Sequence, residues 1–224
     1  DPGFELFETL RLENGAYPLR SLHLERLQAS ARTLGFACGM STLSSLLADE
    51  AARWPTGVLR VRLGLNHAGC CRVVATPLDE EPVREWRVTI ADETLAADDY
   101  LLRHKTTARA RYDRALAALA ARPEVFDVIF LNDRGEVCEG ARSNIFVECN
   151  GVLLTPPLCC GLLPGVLRRK LLASGRAVER VLRLDDLRRS AVVYVGNALR
   201  GLIPVTVEPG SSRTIFATSR SRPP

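Results

Sequence analysis

The stretch His104-Lys105-Thr106-Thr107-Ala108-Arg109 decides how the rest of the chain is read, because it places a lysine in a sequence that otherwise uses arginine. Of 30 lysines and arginines, only Lys105 and Lys170 are lysines. A guanidinium stays protonated, whereas an amine can lose its proton, attack a carbonyl and form a Schiff base. A lysine kept just ahead of a helical pattern therefore suggests a task that arginine cannot perform. Read alone, the stretch is better explained as a surface lysine before an amphipathic helix. The company Lys105 keeps further along the chain changes that reading.

Composition bounds the answer. The 224 residues suffice for one domain or two small ones with a real core, and 46% hydrophobic and 25% charged residues are ordinary globular values. The net charge of +4 is modest and the basic residues are scattered among 26 acidic ones, which argues against a nucleic-acid surface. No apolar run approaches the roughly 18 residues needed to cross a bilayer, and the start lacks a signal-peptide layout. The expectation is a soluble, cytoplasmic protein. Seven cysteines, an odd number without Cys-x-x-Cys spacing, favour free thiols over disulfides or a zinc site. The first residues, Asp1-Pro2, lack an initiator methionine, which suggests a piece of a longer polypeptide.

Outward from the lysine, the pattern predicts a small α+β unit over residues 1–98, a polar crossing over 99–107 that carries Lys105, and a larger unit over 108–224. Phe4 to Leu12 reads as a strand bearing Thr9, entering a hairpin at Asn14-Gly15. Ser21 reads as the N-cap of a helix with Leu24, Leu27, Ala31 and Leu34 at helical spacing, closed by Gly35. Ser41 opens a second helix; Val58–Leu65, Cys70–Thr76 and Trp86–Ala91 follow as strands. Beyond the lysine, Ala108–Ala121 is predicted as a helix and Val125–Leu131 as a strand. Ser143–Glu148 and Val152–Thr155 form a hairpin about Asn150-Gly151. A Gly161–Gly165 loop leads to a helix over Val166–Ala173, and strands are predicted over Ala177–Leu182, Val192–Val195 and Leu202–Val207. The last dozen residues, rich in Ser, Arg and Pro, are expected to be loose.

Four pieces could together make a site for an anionic cofactor with an amine nucleophile. They are Lys105; Glu139, a carboxylate at a glycine-flanked bend; the Gly161–Gly165 loop, whose following helix offers free N–H groups to a phosphate; and Arg26, two turns into the first helix. Each has a plainer explanation by itself: a solvated turn residue for Glu139, a tight turn for the loop, a solvated helix face for Arg26.

In order and spacing, however, the chain resembles the fold-type IV enzymes that use pyridoxal 5′-phosphate, and the likeness runs over essentially its whole length. The stretches that carry it are Phe7-Glu8-Thr9-Leu10-Arg11, His23-Leu24-Glu25-Arg26-Leu27, the lysine stretch, Glu139 to Phe146, Leu163-Pro164-Gly165-Val166-Leu167-Arg168 and Gly196-Asn197-Ala198-Leu199. The resemblance implies an α+β fold like that of D-amino acid aminotransferase, with two α/β subdomains and the cofactor between them. It implies that Lys105 holds the cofactor covalently, that Glu139 pairs with the pyridine nitrogen, and that Arg26 and the backbone amides of Val166 and Leu167 hold the phosphate. Asn197 and Ala198 would line the same pocket. Thr9 matches a family hydroxyl near the reacting atoms, and Arg109 and Arg200 are proposed, on charge and motif position, to meet substrate carboxylates.

Within that family the chain looks most like 4-amino-4-deoxychorismate lyase, which forms 4-aminobenzoate and pyruvate for folate synthesis. Gly196-Asn197-Ala198 stands where aminotransferases of this fold carry a Thr- or Ser-containing stretch, and Arg109-Ala110 where they carry Asn-Tyr. Both departures favour the lyase. A homodimer, and fusion to a chorismate-aminating synthase domain, are further implications of the likeness. The rival readings are a D-amino acid or branched-chain aminotransferase, and a non-enzymatic module that binds an acidic partner.

Overall fold

The computed structural model describes residues 3–79 and 85–209. The first unit runs β1 (Leu6–Glu13), α1 (Arg20–Leu34), α2 (Met40–Arg53), β2 (Val58–Leu65) and β3 (Cys71–Pro77), and its strands form an antiparallel sheet in the order β1-β2-β3. Because side chains alternate across a strand, Leu6, Leu10 and Leu12 of β1 and Leu59, Val61, Leu63 and Leu65 of β2 all turn to one face. There they bury against Leu24, Leu27 and Ala31 of α1 and Leu43 and Leu47 of α2. The other face carries Phe7, Thr9, Arg60, Arg62 and Gly64, which line a cleft.

The second unit begins with β4 (Trp86–Ile90). A 3-10 turn over Tyr100–Arg103 precedes the lysine, and α3 (Ala110–Ala117) follows it, continued by a second 3-10 turn, Ala118–Ala121. Then come β5 (Val125–Leu131), β6 (Val137–Gly140), β7 (Asn144–Cys149), β8 (Val152–Thr155), α4 (Val166–Ala173), β9 (Ala177–Glu179), α5 (Leu184–Arg189), β10 (Val193–Asn197) and β11 (Gly201–Val207). The strands build one eight-stranded mixed sheet in the order β6-β5-β4-β11-β10-β7-β8-β9. The run of β5, buried from Val125 through Phe130 and apolar except for Asp127, which is held by Ser143, fits an inner strand covered on both faces.

Several expectations are corrected. Asn14 and Gly15 do form a tight turn, with φ of 48° and 75° and a Glu13–Ala16 bridge, but no return strand follows. Pro18 has no N–H to donate to a ladder, and β1 is already paired along its length by β2. The helices start earlier than their serines suggest: α1 is capped at Leu19, two residues before Ser21, and α2 begins at Met40 behind Gly39, neither with a side-chain cap. Trp86–Ile90, counted with the first unit, hydrogen-bonds between β11 and β5 and so belongs to the second sheet. Glu139 lies within β6 rather than on a bend, and is buried. The strand from Ala177 stops at Glu179, and α5 follows where none was anticipated, its start fixed by Asp186 accepting the Arg183 N–H at 2.8 Å. The tail of the last dozen residues lies outside the described residues. All seven cysteines are free, and among the described residues no helix is long and apolar enough to cross a membrane.

Candidate active site

The lysine segment is pinned to β1 as a short extra strand. Phe7 N–H donates to the Lys105 carbonyl at 3.0 Å, Thr107 N–H donates to Glu5 at 2.9 Å, and Leu6 bridges Thr106. The Glu5 N–H closes the other side on the Thr107 hydroxyl at 2.9 Å. The Lys105 side chain then enters a cleft of about 820 Å³ between the two sheets, with Nζ 4.6 Å from the centre of the Phe7 ring. Loss of water around the amine, and then the positive charge of Arg26, lower the Lys105 pKa to about 7, against the opposing pull of Glu8 and Glu139. A fraction of the amine is thus unprotonated near neutrality, as a nucleophile or base requires.

Arg26 is not a solvated helix residue. It is buried, and its Nε and Nη2 bind both oxygens of Glu8, at 2.8 and 2.5 Å. His23 Nδ1 lies 2.7 Å from the same carboxylate. Burial opposes ionisation of Glu8, but Arg26 and His23 together outweigh it and hold its pKa at about 2. Glu8 sits on the core face of β1, where the apolar alternation calls for a leucine, so its carboxylate exists there only with partners. The third bond, from Arg26 Nη1 to the Pro164 carbonyl at 3.2 Å, ties α1 to the loop before α4. Of the five guanidinium N–H groups, one each on Nη1 and Nη2 remains for an anion.

That loop delivers the N-terminus of α4. The first bond into the helix runs from Arg169 N–H to Gly165 O at 2.8 Å, so the N–H groups of Val166 and Leu167 have no helical acceptor behind them. Gly165 is required by proximity: a Cβ there would collide with the side-chain oxygen of Asn144, whose Nδ2 holds Leu163 O at 3.0 Å. Val166 lines the cleft; the side chain of Leu167 packs instead beside Phe146 and Leu171, so its expected contribution rests on its backbone amide.

Glu139 lines the cleft from β6. Burial raises its pKa to about 7, although the Tyr112 hydroxyl donates to Oε1 at 2.7 Å and the Leu163 N–H to Oε2 at 3.0 Å. Lys105 and Arg109 also favour its charged form.

Thr9, Arg109, Asn197, Ala198 and Arg200 all line the same cleft. Two of them are engaged in holding the fold. Asn197 donates to Arg142 O at 3.1 Å and accepts the N–H groups of Leu199 and Arg200, so its amide builds the β10–β11 turn. Arg109 donates to Ala141 O at 2.6 Å and to Asp113 at 3.0 Å. Arg200 reaches the carbonyl of Asp79 at 3.4 Å. The cleft also collects Arg60, Arg62 and Arg72 from β2 and β3, with Arg62 stacked 3.9 Å over the Phe7 ring.

Glu8, His23 and Tyr112 are the residues the sequence reading missed. A carboxylate on the leucine-bearing face of β1 was the available signal for Glu8. Tyr112 is the one aromatic residue in an alanine- and arginine-rich helix.

Comparison with known proteins bears on the family and the fold. The amino-transferase class IV family matches residues 5–207. A Schizosaccharomyces pombe protein provisionally named aminodeoxychorismate lyase is 30% identical over 200 residues, covering 87% of this chain and 86% of its own. A crystal structure from Mesorhizobium loti, provisionally named an amino-acid aminotransferase, is 40% identical with a TM-score of 0.86, over 92% of this chain and all of that one. A hypothetical aminotransferase from Mycobacterium tuberculosis, solved with α-ketoglutarate and PMP bound, is 25% identical with a TM-score of 0.81, over 93% of this chain and 84% of that one. With its two units, its mixed sheet and its lysine cleft, the chain belongs to the amino-transferase class IV family, whose enzymes depend on pyridoxal phosphate.

Proposed function

We propose that this enzyme uses pyridoxal 5′-phosphate to eliminate pyruvate from 4-amino-4-deoxychorismate, releasing 4-aminobenzoate. The residues present fit the cofactor. The two remaining N–H groups of Arg26 and the amides at the start of α4 that have no partner among the described residues suit a phosphate, and the absence of a Cβ at Gly165 lets Asn144 pack against the start of the helix. Glu139 would meet the ring nitrogen, and Lys105 would carry the aldehyde carbon. When bound, the group supplies an electron-withdrawing ring conjugated to the substrate amine.

The chain's own residues then do the following. Lys105 Nζ, its pKa near 7, takes the proton from the carbon bearing the substrate amine. Glu139 holds a proton at the ring nitrogen. The Thr9 hydroxyl, on the cleft face of β1, relays the proton taken by Lys105 to the departing enol, donating its own proton as it receives one. Loss of pyruvate makes the substrate ring aromatic, which drives the step.

The observation that supports a lyase is the cationic lining. Arg60, Arg62 and Arg72 on one sheet face, with Arg109 beside Arg62 over the Phe7 ring and Arg200 in the same lining, suit a flat substrate with two carboxylates. The name of the S. pombe relative agrees with it. Asn197 carries no weight for either reaction, since its amide is engaged by backbone. A second reading, an amino-acid aminotransferase, is favoured by the name of the more similar M. loti protein. On the lyase reading the product feeds folate synthesis, and a homodimer and a fused synthase domain remain part of the proposal.

The test is a product assay. Purified protein with pyridoxal phosphate and aminodeoxychorismate should release 4-aminobenzoate and pyruvate, without a keto-acid partner. D-alanine or leucine should give little of the aminated cofactor in a half-reaction. Rapid conversion of either amino acid with no 4-aminobenzoate would assign the chain to the aminotransferases.

A further inference from the structure

We propose that Tyr112 is a positioning residue, whose hydroxyl fixes the Glu139 carboxylate and keeps it ionised so that the ring nitrogen of the cofactor retains its proton. The proposal rests on the cofactor reading above. Tyr112 lies on α3, the helix that follows the lysine segment, and its ring packs edge-on against Phe130 of β5, with centroids 5.1 Å apart. Its hydroxyl reaches Glu139 Oε1 at 2.7 Å, while Oε2 accepts the Leu163 N–H at 3.0 Å. One donor on each oxygen fixes the plane of the carboxylate. A lone pair on each is left for a donor in the cleft that Glu139 lines.

The groups that face Glu139 come from three further elements: Tyr112 from α3, Lys105 and Arg109 from the lysine segment, and the Leu163 N–H from the loop before α4. The amine of Lys105 changes when the cofactor is attached to it, and Arg109 is already bonded to Ala141 and Asp113. Tyr112 is therefore the one side-chain hydrogen-bond donor to this carboxylate among the described residues. Donation to a carboxylate favours its charged form. Without the hydroxyl, Glu139 becomes more basic and draws the shared proton off the ring nitrogen, which weakens the ring as an electron acceptor. A tyrosine there only to fill the core would need its ring and not this direction of its hydroxyl.

Tyr112→Phe separates the two roles, because it keeps the contact with Phe130. In the full chain without cofactor, carboxyl-carbon NMR of glutamate-labelled protein, with Glu139 assigned by Glu139→Gln, reads the titration directly. The midpoint of Glu139 should rise by about one pH unit on loss of one hydrogen bond to a charged group. In the holoenzyme the acid limb of kcat should move up with it, with kcat several-fold lower and KM little changed. If Tyr112→Phe does not fold, 3-fluorotyrosine at position 112, a stronger donor in the same place, should lower the midpoint. A Glu139 midpoint that does not move in either protein overturns the proposal. Failure of the chain to bind pyridoxal phosphate, with the midpoint moving as described, would instead overturn the cofactor reading.

Discussion

Phe7 holds Lys105 at both ends: its N–H binds the lysine carbonyl at 3.0 Å, and its ring centre lies 4.6 Å from the lysine Nζ. The ring is part of what keeps water from the amine, and loss of water is the largest cause of the lowered lysine pKa. Phe7→Leu, which keeps the strand and most of the buried volume, should therefore move the Lys105 pKa up toward the ordinary lysine value. The pH dependence of Lys105 acylation, followed by peptide mass spectrometry in cofactor-free protein, measures this. An unchanged midpoint would show that the ring does not contribute.

Arg26 has two tasks, and the structural one dominates stability. It neutralises Glu8, which is 1% exposed, through two hydrogen bonds. Arg26→Ala leaves the buried carboxylate with His23 in place of a full ion pair and should cost up to roughly 3–5 kcal/mol in denaturant unfolding. Adding Glu8→Gln should recover much of the loss while cofactor retention stays poor, since the phosphate still lacks its guanidinium. A double variant that retains cofactor as the wild type does would remove Arg26 from the phosphate site.

Two groups give the cofactor-free protein opposite pH slopes. Glu139 has a folded pKa of about 7 against a usual 4.5, so between these values the folded chain holds a proton that the unfolded chain releases. Stability attributable to it falls as pH rises through that window. Lys105 has a folded pKa of about 7 against 10.5, so above 7 the unfolded chain holds the extra proton. Its contribution rises with pH toward 10.5. Glu139→Gln should flatten the slope of stability below pH 7 and Lys105→Met the slope above it, in urea titrations across pH. Unaltered slopes in both variants would contradict this account of burial.

Gly165→Ala tests the approach to the start of α4. The new Cβ would strike the Asn144 side-chain oxygen, and Asn144 is tethered to Leu163. Overpacking of this kind costs about 1–3 kcal/mol. Pyridoxal phosphate affinity, read by absorbance titration, should fall as well, because the helix N-terminus must shift. Wild-type affinity with the start of α4 displaced would place the phosphate elsewhere.

The elements with strong periodicity were legible in the chain. Val58–Leu65, Val125–Leu131, Val152–Thr155 and Val166–Ala173 carry their own pattern and turn residues, and their bounds agree with the structure. Glu139 was misplaced to a bend because the flanking glycine outweighed a strand of only four residues. The joining of Trp86–Ile90 to the second sheet depends on a parallel pairing with a strand more than a hundred residues later, which no local pattern encodes. In the site, Lys105 and Arg26 were readable because motif order singles them out. Glu8 and Tyr112 were not, since their importance lies in which charged group each one touches.

The most direct test of the whole account is where the cofactor attaches. The purified chain is loaded with pyridoxal phosphate, reduced with borohydride and digested, and the modified peptide is identified by mass spectrometry. The account predicts a phosphopyridoxyl group on Lys105, none on Lys170, and loss of both the label and turnover in Lys105→Ala. A label on Lys170, or full turnover in Lys105→Ala, would contradict it.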